Sequence, residues 1–148
     1  MSDTVFKFYP LNPRCTFEPE VVTGIESFLR RFNGASIVEG SIEVMTFDGI
    51  QFIDCGTNFQ CVCCARCGRE IDHDLWQDTM DADYLEASGF QLSERVSCSC
   101  GFSSLLYGLT YHASCGFASA CLSVRVSSHF WTGWLRHFPW IGLVEARY

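Results

Sequence analysis

The chain has 148 residues, of which 48% are hydrophobic and 15% aromatic, so it is long and apolar enough to bury a core in one domain. Seventeen acidic residues outnumber ten basic ones, and the net charge of −7 disfavours nucleic acid as a partner, because phosphate binding needs a basic surface. No apolar run reaches the ~20 residues of a membrane span, and no signal peptide opens the sequence. We therefore expect a single cytoplasmic domain, residues 1–148, that enters no membrane.

The first part of the chain predicts an extended segment followed by a helix. Glu18-Pro19-Glu20 is typical of a helix start, because proline suits the first turn and carboxylates favour its positive end. Apolar residues at helical spacing follow, and they indicate a face that packs in the core. Asn33-Gly34 is a typical helix end.

A β-hairpin is predicted next. Residues 37–47 and 50–55 have the alternation of strands, and the turn signal Asp48-Gly49 separates them. A further short strand is predicted over 58–63, and it leads into the first cysteine-rich segment.

Two cysteine-rich segments are the strongest chemical signal in the sequence. Residues 61–68 read Cys-Val-Cys-Cys-Ala-Arg-Cys-Gly, and residues 98–101 read Cys-Ser-Cys-Gly. Both end in Cys-Gly, which is typical of a zinc knuckle, because glycine allows a turn that brings thiolates and N–H groups together. We predict an inserted zinc-ribbon-like cluster with knuckles at 61–68 and 98–101. Its ligands for a structural Zn²⁺ are Cys64, Cys67, Cys98 and Cys100.

The second knuckle is one residue shorter than the usual spacing, which leaves the fourth ligand open. Cys98 is preferred, with Cys61, Cys63 or His73 as substitutes. Buried thiols, a redox-active C-x-x-C pair and disulfides are alternatives, although a cytosolic chain with this spacing favours a metal. The cysteines outside the predicted cluster also suggest a thiol-based sensor. They are Cys15, Cys55, Cys61, Cys63, Cys115 and Cys121.

A second helix is predicted over 70–86, and it is rich in aspartate. Such a cluster of one charge sign is usually a solvated helix surface, but it also suits the docking of a basic protein by electrostatic steering. The candidate partner-binding residues are Asp72, Asp74, Asp78, Asp81 and Asp83.

The rest of the chain is predicted to be mostly strand. The predicted strands are 90–97, 111–112, 116–126 and 141–148. A helical turn is predicted over 103–106, and a third helix from Ser128 to Phe138, where Pro139 ends it. The fold class is therefore α+β: one domain with a mainly antiparallel sheet, two to three helices and the inserted cysteine cluster.

Several segments, taken together, match the pattern of a known family. They are Phe52–Phe59 (F-x-D-C-G-x-N-F), Cys64–Gly68, Trp76–Met80, Cys100–Gly101, and Tyr111 with Gly116-Phe117-Ala118. In these the chain resembles a family of small, largely uncharacterised bacterial cytosolic proteins, over roughly residues 45–126. The family usually has Cys-Cys-Gly at its second knuckle, where this chain has Cys-Ser-Cys-Gly. The resemblance implies no activity, but proteins of this style often accompany secreted toxins, which by analogy implies an immunity protein.

We predict a non-catalytic protein-binding module, and in its most specific form an immunity protein that neutralises a basic toxin. The sequence has no nucleophile elbow, phosphate-binding glycine loop or H-E-x-x-H motif, and His112 with Cys115 is a weak nucleophile–base candidate. Four cysteines would also close the coordination of a zinc ion. The main alternative is a thiol- or zinc-based redox or metal sensor. A small hydrolase and a nucleic-acid-binding zinc ribbon are less favoured.

Overall fold

The computed structural model describes residues 4–148 and shows an α+β fold arranged around a six-stranded sheet. The elements are β1 (Thr4–Pro10), α1 (Pro19–Asn33), β2 (Glu43–Ile53), β3 (Cys61–Cys63), α2 (His73–Asp83), β4 (Tyr84–Leu85), β5 (Gly89–Phe90), β6 (Arg95–Ser97), β7 (Ser103–Leu105), β8 (Thr110–His112), β9 (Gly116–Val126) and β10 (Ile141–Arg147). Two short 3-10 helices, Leu106–Gly108 and Gly133–His137, lie between strands.

The large sheet has the strand order β10-β1-β9-β2-β5-β4. Its pairings are antiparallel except for the parallel contact between β2 and β5. Two separate ladders, β3 with β8 and β6 with β7, lie in the segment between β2 and β9. We call residues 59–112 the ribbon region, and β1, α1, β2, β9 and β10 with their connections the sheet region.

Helix α1 packs against the sheet through the apolar face that its sequence predicts. Pro19 lies in the first turn, and Ile25 and Leu29 are fully buried in a core shared with Phe8 and Leu122. Burying each such aliphatic side chain contributes about 1.5–3 kcal/mol. The predicted boundaries of this helix are therefore confirmed, and so is its predicted core face except for Phe32, which is 42% exposed.

The predicted third helix is wrong in its extent. Only Gly133–His137 is helical, as a short 3-10 segment, and Ser128 donates a hydrogen bond to the Ser36 hydroxyl instead of capping a helix. Trp134 is 1% exposed and stacks on Phe28 with ring centroids 5.8 Å apart. Aromatic side chains are weak helix formers, and here their packing against α1 decides the backbone path.

The predicted β-hairpin is also wrong, because β2 runs continuously through Asp48-Gly49. The pairing of β2 with β9 shifts register between Thr46 and Gln51, so the turn signal marks an irregularity within one strand. A Cβ on Gly49 would lie 2.0 Å from the carbonyl oxygen of Ser88. This glycine therefore allows two backbones to approach closely, which a sequence pattern cannot distinguish from a turn.

Several shorter elements differ from their predictions. The predicted strand over 90–97 is divided into β5 and β6, since Leu92 has a φ of 54°. The predicted helical turn over 103–106 is the strand β7 followed by a 3-10 helix. Helix α2 is shorter than the predicted 70–86, whereas β9 has the predicted bounds and β10 ends one residue early.

Candidate metal centre

The first knuckle follows β3 directly. The amide of Gly68 donates to the carbonyl of Cys64 at 2.9 Å, and the amide of Cys64 donates to the carbonyl of Arg69 at 2.8 Å. Gly68 has a φ of 75°, in the left-handed region that glycine adopts without strain. These bonds form a tight turn that directs the side chains of Cys64 and Cys67 to the same side.

The second knuckle joins β6 to β7 and has the same construction despite its shorter spacing. The amide of Gly101 donates to the carbonyl of Cys98 at 2.9 Å, and the amide of Cys98 donates to the carbonyl of Phe102 at 2.8 Å. Gly101 has a φ of 91°. Cys98-x-Cys100 therefore delivers two sulfurs from a single hairpin turn.

The two knuckles bring four sulfur atoms together. The sulfurs of Cys64, Cys67, Cys98 and Cys100 all lie within 4.8 Å of one another. The Cys64–Cys100 distance is 3.8 Å and the Cys67–Cys98 distance is 3.5 Å. A tetrahedron of sulfurs around a metal at about 2.3 Å has edges of about 3.8 Å. These four cysteines could therefore hold a metal ion.

The predicted substitute ligands lie elsewhere. The sulfurs of Cys61 and Cys63 are 3.9 Å from each other but are not part of the four-sulfur group. The ring of His73 lies 5.7 Å from the ring of Trp76, in the first turn of α2. The four sulfurs that lie close together are therefore those of the preferred cysteines.

Backbone N–H groups are directed at the sulfurs of the cluster. The amide of Arg66 lies 3.4 Å from the sulfur of Cys64, and the amide of Arg69 lies 3.5 Å from that of Cys67. In the second knuckle the amide of Cys100 donates to Cys98. Such bonds stabilise negative charge on sulfur, which is the state that a metal ligand requires.

The thiols of Cys64, Cys67 and Cys98 have shifted pKa values. The amide of Cys100, followed by the thiol of Cys67, lowers the pKa of Cys98 to about 6, and the amides of Cys67 and Arg66 lower the pKa of Cys64. The amide of Arg69 also favours the Cys67 thiolate, but burial and the neighbouring sulfurs outweigh it and raise the pKa of Cys67 to about 11. A bound cation would displace the remaining protons.

Two arginines of the first knuckle surround the cluster. The Arg66 guanidinium lies 6.0 Å from the centre of the Phe102 ring, and Arg69 donates to the hydroxyl of Ser99 at 3.3 Å. Both contacts reach from the first knuckle to the second. Because four thiolates around a divalent ion would carry an excess of negative charge, these two arginines would also compensate the charge of a bound complex.

Most of the predicted acidic residues lie on the surface of α2. Asp72 caps the helix, since its Oδ1 accepts the amide of Leu75 at 3.1 Å. Asp74, Asp78 and Asp81 are exposed, and their spacing places them along one side of the helix.

Asp83 does not belong to this acidic surface, which corrects its prediction as a partner-binding residue. It is 1% exposed, and its carboxylate accepts the amides of Leu92, Ser93 and Glu94 at 2.8, 2.8 and 2.9 Å. Burial alone would raise the pKa of Asp83, but these amides hold it below its usual value. An aspartate in the last turn opposes the helix dipole, and this was the one sequence signal for a special role.

Two further groups bring together residues that the sequence did not pair. The sulfurs of Cys55 and Cys115 lie 3.3 Å apart in the core. The Lys7 ammonium lies 3.1 Å from Oδ1 of Asp54, whose Oδ2 accepts the hydroxyl of Tyr148 at 3.0 Å. Both groups join residues distant in sequence, so only the folded chain reveals them.

The chain matches no protein-family model, no curated protein and no solved structure. Within residues 4–148, no helix has the length and apolar character needed to cross a membrane. The fold and the four-sulfur cluster are therefore the basis for inferring function.

Proposed function

We propose that this chain is a non-catalytic, cytoplasmic protein-binding module whose four-sulfur cluster holds a structural Zn²⁺. The observation that carries the proposal is an exposed acidic and apolar surface on α2 and β4, which lies in the same region as the cluster. Its most specific form is an immunity protein that neutralises a basic toxin. That form rests on the family resemblance alone.

Zinc is the metal that the donor set supports best. Four thiolates in a tetrahedral arrangement are the typical ligands of structural zinc, and hard cations such as Mg²⁺ prefer oxygen. Four protein ligands leave no coordination position for water or substrate, which supports a structural role over a catalytic one. The ion would join the turn after β3 to the β6–β7 hairpin, and so hold α2 between them.

The surface on α2 and β4 combines apolar and acidic side chains. Leu75, Tyr84 and Leu85 are 44%, 39% and 52% exposed, and Asp78 and Asp81 lie on the same helix. Protein interfaces commonly combine an apolar centre with a charged rim. In addition, β4 is the terminal strand of the sheet, so no further strand covers this surface.

Charge selects the class of partner. The chain has a net charge of −7, and the α2 surface concentrates part of it. A basic protein would be attracted and oriented by this surface, which raises the association rate more than the final affinity.

A charge-reversal pair tests the proposal. The bait D78K/D81K and the control bait E39K/E43K undergo the same change of net charge, and all four residues are exposed. Asp78 and Asp81 lie beyond the first turn of α2, so lysine there does not oppose the helix dipole. Proteins captured from the native host are compared by mass spectrometry. We expect the wild-type bait to capture a basic protein that the D78K/D81K bait no longer captures and that the E39K/E43K bait still captures. Capture that neither bait changes would contradict the proposal.

A thiol-based redox response is a second candidate, favoured by the contact between Cys55 and Cys115. Cys115 lines a cavity of about 450 Å³ between Tyr9 and Tyr111, through which a small oxidant could reach it. Burial raises the pKa of Cys115, however, and a protonated thiol reacts slowly. Peroxide treatment followed by a thiol count and metal analysis tests this candidate. If the number of free thiols stays constant and the metal is retained, this candidate is excluded.

A further inference from the structure

The thiols of Cys61 and Cys63 form a second sulfur pair, outside the four-sulfur cluster. Their sulfurs lie 3.9 Å apart on one face of β3. Val62 and Cys64 alternate with them and pack in the core of the ribbon region. Cys61 is half-buried, and Cys63 is 8% exposed. Because consecutive residues of a strand point to opposite faces, this pair and the cluster do not share ligands.

Core packing accounts for at most one member of this pair, since Cys63 is buried and Cys61 is only half-buried. Cys64 and Cys98 belong to one hydrophobic cluster of the described residues, and Cys55, Cys115 and Cys121 belong to another. Cys61 and Cys63 belong to neither. A separation of 3.9 Å also matches the edge of about 3.8 Å expected between two thiolates that bind the same tetrahedral ion.

The neighbouring backbone places two further ligand types beside the pair. His112 lies directly opposite Cys61 in the β3–β8 ladder, where facing Cβ atoms are typically about 4.5–5.5 Å apart. On the other side, Glu70 forms a bridge with Cys63, and its carboxylate interacts electrostatically with that thiol. His112 and Glu70 are both exposed, and neither side chain has its ligand atoms within 4.8 Å of both sulfurs, so a rotation of the side chain is needed to direct either of them toward the pair.

We propose that Cys61, Cys63 and His112 form a second binding site, for a soft divalent cation such as Zn²⁺. Two thiolates and one imidazole are the ligand set of open zinc sites, in which the fourth position is left for water or for an exchangeable group. Binding releases the two thiol protons to solvent and changes no oxidation state. Because Glu70 is exposed beside the pair, its charge attracts the incoming cation. This site is exchangeable, whereas the four-sulfur cluster is closed.

Metal stoichiometry tests the proposal. The reduced full-length chain, already loaded with one equivalent of Zn²⁺, is titrated with more Zn²⁺ in competition with a chromophoric chelator. We expect a second equivalent to bind. The variant C61S/C63S should lose that second equivalent and keep the first, and H112A should weaken the second step by about tenfold or more. The control C15S, which removes an exposed cysteine outside both groups, should bind two equivalents.

A second readout identifies the ligands. With Co²⁺ as the second ion, the wild type should show a sulfur-to-cobalt charge-transfer band that C61S/C63S lacks. A wild-type chain that binds one ion only, or a second ion that survives C61S/C63S, overturns the site. A second ion that H112A leaves unaffected overturns the role of His112. None of these readouts depends on whether the α2 surface binds a protein partner.

Discussion

The sheet region and the ribbon region are stabilised by different means. In the sheet region β1, β2, β9 and β10 are seven to eleven residues long and pair in long antiparallel ladders, with a register shift between β2 and β9 and with α1 packed on one face. In the ribbon region the strands β3, β6, β7 and β8 have three residues each. Isolated pairs of such short strands are marginal in water. The ribbon region also buries a core around Trp76 and Leu106, so we expect its cysteine cluster to add to that burial, whereas the sheet region depends on burial and backbone pairing alone.

Removing one cysteine of the cluster should have the largest effect on stability, and it should affect the ribbon region far more than the sheet region. In C98S we expect the free energy of unfolding of the ribbon region to fall by roughly 3 kcal/mol or more, because a structural metal ion held by the cluster would contribute folding energy directly. Hydrogen exchange should accelerate in β3, α2, β6 and β7 and change little in β1 and β9. Exchange monitored by mass spectrometry measures this.

The exposed Cys15 provides the control for that experiment, because C15S removes a thiol outside the cluster and should leave exchange unchanged. A strong chelator added to the wild type should reproduce the pattern of C98S. Equal acceleration in both regions would instead show that the chain unfolds as one unit, and the comparison would fail.

Asp83 holds the segment that leads into the second knuckle, and its loss should have the next largest effect. D83N keeps the shape of the side chain but removes the charge that three amides stabilise, so we expect a loss of about 2–3 kcal/mol in unfolding free energy. Chemical denaturation measures it. The exposed Asp78 gives a matched control in the same helix, and D78N should change stability by no more than about 0.5 kcal/mol.

The pH dependence of Asp83 has a definite sign. Because its pKa is lower in the folded chain than in the unfolded one, its contribution is present above the unfolded pKa of about 3.9 and is lost as pH falls through the folded value. Wild-type stability should therefore decrease on acidification below about pH 4, and D83N should show a smaller decrease. If the unfolding free energies of the wild type and D83N fall equally steeply with pH, this assignment is contradicted.

Gly49 lies where the two regions meet, since β2 pairs there with β5. An alanine Cβ at this position would lie 2.0 Å from the Ser88 carbonyl oxygen, so G49A should force the strands apart and cost about 2 kcal/mol. Gly40 has a φ of 74° but open space around it, so G40A should cost only about 1 kcal/mol of backbone strain. If G49A and G40A lose a similar amount of unfolding free energy, close contact with Ser88 is not the reason that glycine occupies position 49.

The sequence predicted well the elements that have strong local signals. Pro19 and Asn33-Gly34 bound α1, and the alternation over 116–126 predicts β9, because these signals act within a few residues. The four cysteines of the cluster were predicted for the same reason, since glycine after cysteine determines each turn. The sequence did not predict the burial of Asp83 or the contact of Gly49 with Ser88. Both depend on a backbone segment that tertiary structure brings from elsewhere in the chain.

The ion pair between Lys7 and Asp54 should have the smallest effect, because the sheet region depends on long ladders. Partial burial raises the pKa of Asp54, but the Lys7 ammonium outweighs it and holds that pKa below its usual value. The stabilisation is thus present above the unfolded pKa of about 3.9 and is lost as pH falls. The Asp54 side chain is 47% exposed, so solvent screening limits the coupling to about 1 kcal/mol at most. A double-mutant cycle with K7M and D54N measures it, and a coupling well above this limit would mean that this point contact, in addition to the ladders that β9 forms with β1 and with β2, holds the end of β2 near β1.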